Sequence, residues 1–142
     1  MRLVKDTNVF VAALKSGAGA SRKMLRLLLS GAHTPLLGDK LCYEYQDLIG
    51  RGAEIWAGCP LTDAERRELL QALVAVCTYV RITRLWRPNL RDEGDNHVME
   101  LAICGNAAAL VTFNLRDFAH ALFAPPGLEV LPPGEFLRRY ST

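Results

Sequence analysis

The chain lacks any long hydrophobic run. Half of its 142 residues are hydrophobic, but apolar stretches such as 27–29 and 107–111 are far shorter than the ~20 residues that a membrane-spanning helix needs. The first residues reach Asp6 without a sustained apolar region or a small-residue cleavage site, so they do not resemble a secretory signal. We therefore expect a cytoplasmic protein with no membrane segment.

The sequence also lacks paired cysteines, repeats and linkers. Its four cysteines, 17, 18 and 27 residues apart, form no Cys-x-x-Cys pair, which argues against zinc and favours buried, reduced thiols. The net charge of +2 is too small to indicate nucleic-acid binding by itself. Without a low-complexity tract or a linker, residues 1–142 are expected to form one domain.

Short apolar stretches alternate with helical patterns along the chain. This alternation is typical of an α/β fold with a central parallel sheet covered on both faces. Four to five strands are expected. The predicted strands are Leu3–Val4, Thr34–Leu37, Tyr79–Ile82, Ala109–Thr112 and an edge strand at Leu128–Leu131.

Two helices have clear local signals. One is predicted to run from Asp39 or Lys40 to about Gly50, and Thr62 with Glu65 forms a capping-box pattern at the start of another. Within the first helix, Glu44 shares a face with apolar residues, so it is predicted to point inward. A buried carboxylate needs a cation or a hydrogen-bond donor, because burying it unpaired is costly.

Acidic and amide side chains stand where strands end or helices begin. Asp6 follows the first strand, Asp95 opens a late helix, and Asn114 follows the fourth strand with Asp117 one turn later. Carboxyl ends of parallel strands meet at one crevice, so these groups are expected to gather there. Hard oxygen ligands of this kind suit Mg²⁺ or Mn²⁺ and the hydrolysis of a phosphodiester.

A cluster of arginines lies between the third strand and the next helix. Arg84, Arg87 and Arg91 follow Arg81 within eleven residues. Two interpretations stay open for this cluster. It is either an edge that contacts nucleic-acid phosphates or a solvated loop.

Taken together, these motifs resemble the PIN-domain ribonucleases, especially the toxins of type II toxin-antitoxin pairs. The resemblance rests on Asp6-Thr7-Asn8-Val9, on Glu44, on Asp95-Asn96-His97 and on the segment 111–118, Val-Thr-Phe-Asn-Leu-Arg-Asp-Phe. The pieces follow the family's order and spacing from near residue 2 to about 131. The resemblance implies a three-layer α/β/α fold and a pocket that binds Mg²⁺ or Mn²⁺.

The resemblance also implies roles and partners. Asp6, Glu44, Asp95 and Asp117 would be the catalytic and metal-binding acids, supported by Asn8, Thr112 and Asn114. The substrate would be RNA, the partner a small antitoxin, and the assembly a homodimer with the leucine-rich second helix as candidate interface. His97 is interpreted as a helix residue near this site.

Two residues depart from the family pattern. Asn114 stands where many relatives carry Asp, and Lys5 stands where relatives are commonly apolar; we interpret Lys5 as an edge residue without consequence. Asn114 motivates an alternative, a weakly active or inactive module that binds nucleic acid or a partner. A phosphatase is a third hypothesis, but Asp6 is not followed by the Asp-x-Asp pattern of such phosphoryl-transfer enzymes.

Overall fold

A parallel sheet forms the centre of the fold. The computed structural model describes residues 1–51, 54–83, 89–90 and 93–141. Within these ranges it has five strands: β1 Arg2–Lys5, β2 Thr34–Leu37, β3 Thr78–Tyr79, β4 Ala109–Val111 and β5 Glu129–Leu131. All pairings are parallel, in the order β3-β2-β1-β4-β5. The predicted α/β class, the parallel sheet and the edge position of the last strand are confirmed.

Helices cover both faces of the sheet, as predicted. They are α1 Thr7–Lys15, α2 Ala20–Leu29, α3 Asp39–Gly50, α4 Asp63–Val76, α5 Asn96–Cys104, α6 Leu115–Ala119 and α7 Pro133–Tyr140, with a 3₁₀ turn at Glu93–Asp95 before α5. One hydrophobic cluster joins α3, α4 and α5 to one face of the sheet, and a second joins α2 and α7 to the other. Among the described helices, none has the length and apolar character to cross a bilayer.

Local sequence signals account for two of these helices. At α4 the Thr62 hydroxyl accepts from the Glu65 backbone N–H at 3.2 Å, and the Glu65 carboxylate accepts from the Thr62 N–H at 2.9 Å. This pair is the predicted capping box. Helix α3 also has the predicted bounds, and its Leu41 and Tyr45 are buried against the sheet.

The strand order places a crevice beside β1. From β1 the chain builds β2 and β3 on one side of the sheet, then crosses to build β4 and β5 on the other. Ligands of such open sheets bind where the strand order reverses, at the carboxyl ends of the strands. Asp6 and Thr112 directly follow the neighbouring strands β1 and β4. The topology therefore brings two of the predicted site residues to the expected position.

The prediction for Lys5 was wrong, and the predicted third strand was shifted. Lys5 lies in the central strand β1, between β2 and β4, and is only 2% exposed.

A strand was predicted at Tyr79–Ile82, but β3 comprises Thr78 and Tyr79. Its strand pairing with β2 stops at Leu37, where β2 itself ends, and beyond the strand the Val80 N–H still donates to the Leu37 carbonyl at 2.8 Å.

Gly105 at the end of α5 is expected not to tolerate a side chain. A Cβ added there would lie 2.5 Å from Leu36 Cδ1 and 2.9 Å from the Leu101 carbonyl oxygen. Gly105→Ala should therefore lower the free energy of unfolding by about 1–3 kcal/mol through overpacking, as measured by urea denaturation. The matched control is Gly50→Ala in α3, where the added Cβ meets no described atom within 4 Å. Equal stability of the two variants would contradict this prediction.

Candidate active site

Asp6 is fixed at the carboxyl end of β1. Its backbone N–H donates to the Val111 carbonyl at 2.9 Å, and its Oδ1 accepts from the Thr7 N–H at 2.8 Å as the N-cap of α1. The other carboxylate oxygen, Oδ2, accepts from the Thr112 hydroxyl at 2.8 Å. Asp6 is 5% exposed. The carboxylate is therefore held in one orientation by donors on both sides, and each oxygen keeps further lone pairs for a cation.

Thr112 connects this carboxylate to the chain that follows β4. Its fully buried hydroxyl donates to Asp6 and accepts from the Asn114 N–H at 2.9 Å. One hydroxyl can make both bonds because it carries one proton and two lone pairs. The contact between Thr112 and Asp6 spans 106 positions in the sequence, so it ties the two central strands together at the crevice.

Removing this hydroxyl is expected to destabilise the protein. Thr112→Val would leave the Asn114 N–H without its acceptor and Asp6 Oδ2 without its donor, at a cost of about 2 kcal/mol in unfolding free energy. Thr112→Ser keeps both hydrogen bonds and loses one methyl group, which costs about 1 kcal/mol. Urea denaturation of both variants separates the two effects. If valine were tolerated as well as serine, the hydroxyl would not hold the site together.

Asn114 and Asp117 form the next part of the crevice. Asn114 is the residue before α6, and its Nδ2 donates to Asp117 Oδ2 at 2.8 Å. The amide nitrogen of Asn114 therefore orients the Asp117 carboxylate, which an aspartate at position 114 could not do. Asn8 in α1 is joined to the same segment, since its Oδ1 accepts from the Phe113 N–H at 3.4 Å.

Glu44 reaches the site from α3. On α3 the neighbouring Tyr45 is the residue that is fully buried, and it donates its hydroxyl to the Lys5 carbonyl. The Glu44 side chain itself is 33% exposed, and its Oε1 lies 2.8 Å from His97 Nε2 on α5. Burial raises the pKa of the Glu44 carboxyl, and the negative charge of Asp6 raises it further. Glu44 and Asp6 are thus close enough to repel each other when both are ionised.

Asp95 occupies the start of α5. It is half-buried at the N-cap position, but its side chain makes no capping hydrogen bond to the described N–H groups of that helix. A negative charge at a helix N-terminus is stabilised by the helix dipole. Capping of α5 therefore does not explain the orientation of the Asp95 side chain.

The donor set suits a hard divalent ion. Every candidate ligand is a carboxylate or amide oxygen, and the mutual repulsion of Asp6 and Glu44 is what a bound cation would relieve. Across the described ranges, no three His, Cys, Asp or Glu side chains already stand in positions that could hold a metal ion. Mg²⁺ commonly takes one or two carboxylates and keeps several waters, so it does not require three protein ligands already in place. The metal-binding roles of Asp6, Glu44, Asp95 and Asp117 stay predictions.

Two further observations concern the remaining predicted residues. Arg84, Arg87 and Arg91 lie outside the described residues, so their predicted contact with nucleic acid stays a prediction. His97 was assigned only to the neighbourhood of the site, but it contacts Glu44 directly. Two features of the sequence point to this contact. An inward Glu44 needs a hydrogen-bond donor, and a histidine lies two positions after Asp95.

Comparisons with known proteins agree with this architecture. A family model for the PIN domain matches residues 2–116. Among solved structures, the chain is similar to the crystal structure of VapBC2 from Rickettsia felis bound to a DNA fragment from their promoter, with a TM-score of 0.64 and 17% sequence identity. That alignment covers 92% of this chain and 97% of the other. No curated protein gives a significant match.

Proposed function

The chain belongs to the PIN-domain family, a family of nucleases, and on that premise we propose that it is a metal-dependent endoribonuclease that hydrolyses RNA phosphodiester bonds. The observation that carries this proposal is the fixed carboxylate of Asp6 at the reversal point of the sheet, with Glu44 beside it. A nuclease of this kind needs negative oxygens that jointly hold a cation, and we propose that these two carboxylates are the first of them.

Each residue of the crevice has a proposed task. Asp6, Glu44, Asp95 and Asp117 would hold Mg²⁺ or Mn²⁺, and Asn114 would keep Asp117 in place. A bound ion of this type lowers the pKa of a coordinated water and shields the charge that develops on the phosphate. Thr112 maintains the orientation of Asp6 through its hydroxyl. The Glu44 side chain is 33% exposed, so a substrate could reach it from solvent.

We further propose that the nuclease is the toxin of a toxin-antitoxin pair in the cytoplasm. The support is the fold similarity to VapBC2, a complex that is described as bound to promoter DNA. On this proposal a small antitoxin protein binds the chain and inserts a segment toward the acidic crevice. A homodimer is part of the same proposal, but Leu25 and Leu28 of α2 are buried within the chain, so that helix could offer only the partly exposed Leu27 and Leu29 to an interface.

The test is cleavage of a mixed, end-labelled RNA pool by the purified protein with EDTA, Mg²⁺ or Mn²⁺. Cleavage with either ion and none with EDTA supports the nuclease. The absence of cleavage under all three conditions, with the protein folded and free of antitoxin, would contradict it.

One observation favours a second candidate function. Asn114 supplies no negative charge where many relatives carry an acid, which motivates a weakly active or inactive module that binds RNA or a partner protein. Such a module would bind RNA with an affinity that falls as salt rises, and it would not turn over with any ion. Asn114→Asp tests this candidate. Ion-dependent cleavage by the variant and none by the parent would mean that the missing charge inactivates an otherwise intact site, even though the variant loses the hydrogen bond from Asn114 Nδ2 to Asp117.

A further inference from the structure

A buried histidine contacts one of the candidate acids. His97 lies in the first turn of α5, and its side chain is 3% exposed. Its Nε2 lies 2.8 Å from Oε1 of Glu44, which is on α3 and 53 positions away in the sequence. When Glu44 is ionised it only accepts hydrogen bonds, so the contact then requires the tautomer in which Nε2 carries the proton and donates it. A nitrogen in that state has no lone pair for a metal ion.

The contact restricts a side chain that would otherwise be mobile. Fixing a glutamate side chain costs rotamer entropy, because a glutamate has several rotatable bonds. A metal site that must order Glu44 at the moment of binding therefore has a lower affinity for the ion. When His97 holds Oε1 in advance, part of this cost is met before the ion binds, and Oε2 stays available as a ligand. Groups that orient metal ligands in this way typically change metal affinity 10- to 100-fold.

We propose that His97 is a positioning residue that holds Glu44 on the Asp6 side of the crevice and thereby sets the affinity of the site for a divalent ion. The inference rests on the proposed function, since it assigns Glu44 to the metal site. It differs from a metal-ligand role for His97, because the imidazole acts through Glu44.

The experiment measures Mn²⁺ binding by calorimetry, independently of RNA cleavage. His97→Phe keeps a ring of similar size and removes the donor, so the Kd for Mn²⁺ should rise 10- to 100-fold. His97→Gln restores an amide N–H at a reach similar to that of Nε2 and should recover most of the affinity. The matched control is His33→Phe. His33 also links distant elements, through Nε2 and the Tyr140 carbonyl at 3.0 Å, so its loss should affect stability and leave the Kd unchanged.

A double-mutant cycle distinguishes positioning from a purely structural role. If His97 acts through Glu44, His97→Phe should weaken Mn²⁺ binding in the parent but change it little in a Glu44→Gln background. Equal weakening in both backgrounds, or no weakening in the parent, would overturn the positioning role and leave the nuclease proposal standing. If the parent itself bound no Mn²⁺, the proposed metal-dependent function and this inference would both be rejected.

Discussion

Replacement of Asp6 by asparagine is expected to reduce metal-dependent RNA cleavage by about a thousandfold and to leave the fold intact. A metal ion contributes several kcal/mol of charge stabilisation in the transition state, and each 1.36 kcal/mol changes the rate tenfold. Asparagine lacks the charge that would hold the ion. It keeps an oxygen for the Thr7 N–H, and Asn is as good an N-cap as Asp, so α1 should begin unchanged. The amide Nδ2 cannot accept from the Thr112 hydroxyl but can donate to its oxygen, so a contact between the two strands is kept in reverse.

The measurement is the initial rate of cleavage of an end-labelled RNA with saturating Mn²⁺, beside a urea unfolding curve for each protein. Asp63→Asn is the charge-matched control. Asp63 starts α4, is exposed, and pairs with Arg67 at the surface, so its loss should leave the cleavage rate unchanged. Full activity of Asp6→Asn would remove Asp6 from the site, and a collapse of stability would make its role structural.

Elements with local signals could be predicted from the sequence. The strand Thr34–Leu37, the helix Asp39–Gly50 and the capping box at Thr62 all match the structure, because periodicity and caps act within a few residues. The third strand was misplaced because its length depends on β2, a segment about forty positions earlier. Pairing beyond Tyr79 would need a β2 that continues past Leu37.

The candidate site also contains one contact that the sequence could predict and one that it could not. That Asp6 and Thr112 meet could be inferred from their places after two strands of a parallel sheet. The contact between Glu44 and His97 joins two helices far apart in the sequence, and no local pattern specifies which donor an inward carboxylate will find. The burial of Lys5 was missed for a related reason. Whether a strand is central or at an edge depends on its neighbours on both sides, and β1 has two.

Lys5 stands in an environment that disfavours its charge. Its Nζ is buried without a hydrogen-bond partner among the described residues, 5.0 Å from the Phe10 ring centroid and 5.6 Å from that of Tyr45. Burial lowers the pKa of Lys5 to about 7, against a smaller opposing effect of Cys77. The aromatic faces offset only part of the lost hydration. The ammonium group therefore destabilises the folded state at neutral pH.

Lys5→Met is accordingly expected to raise the free energy of unfolding by about 2 kcal/mol at pH 7, because an apolar chain of similar length needs no hydration. The measurement is urea denaturation in EDTA, so that metal binding does not contribute. Lys15→Met is the control, since Lys15 is an exposed lysine at the end of α1 and its replacement should change stability by less than about 0.5 kcal/mol. A destabilised Lys5→Met variant would show that the amine has a partner that the fold requires.

The advantage of Lys5→Met should shrink as pH rises from 7 to 9. Lys5 has a pKa of about 7 in the folded chain and an ordinary value of 10.5 in the unfolded one, so between these values the unfolded state binds more protons. Parent stability therefore rises with pH in this window, by about 2 kcal/mol over two units. Burial also raises the pKa of the Cys77 thiol from 9.0 to about 11. Above pH 9 the unfolded thiol therefore loses its proton before the folded one, which lowers the free energy of unfolding. For this reason the comparison of parent and variant ends at pH 9. A difference between parent and variant that stays constant from pH 7 to 9 would mean that Lys5 keeps its proton in the folded state, and the buried amine would then have to be stabilised as a cation.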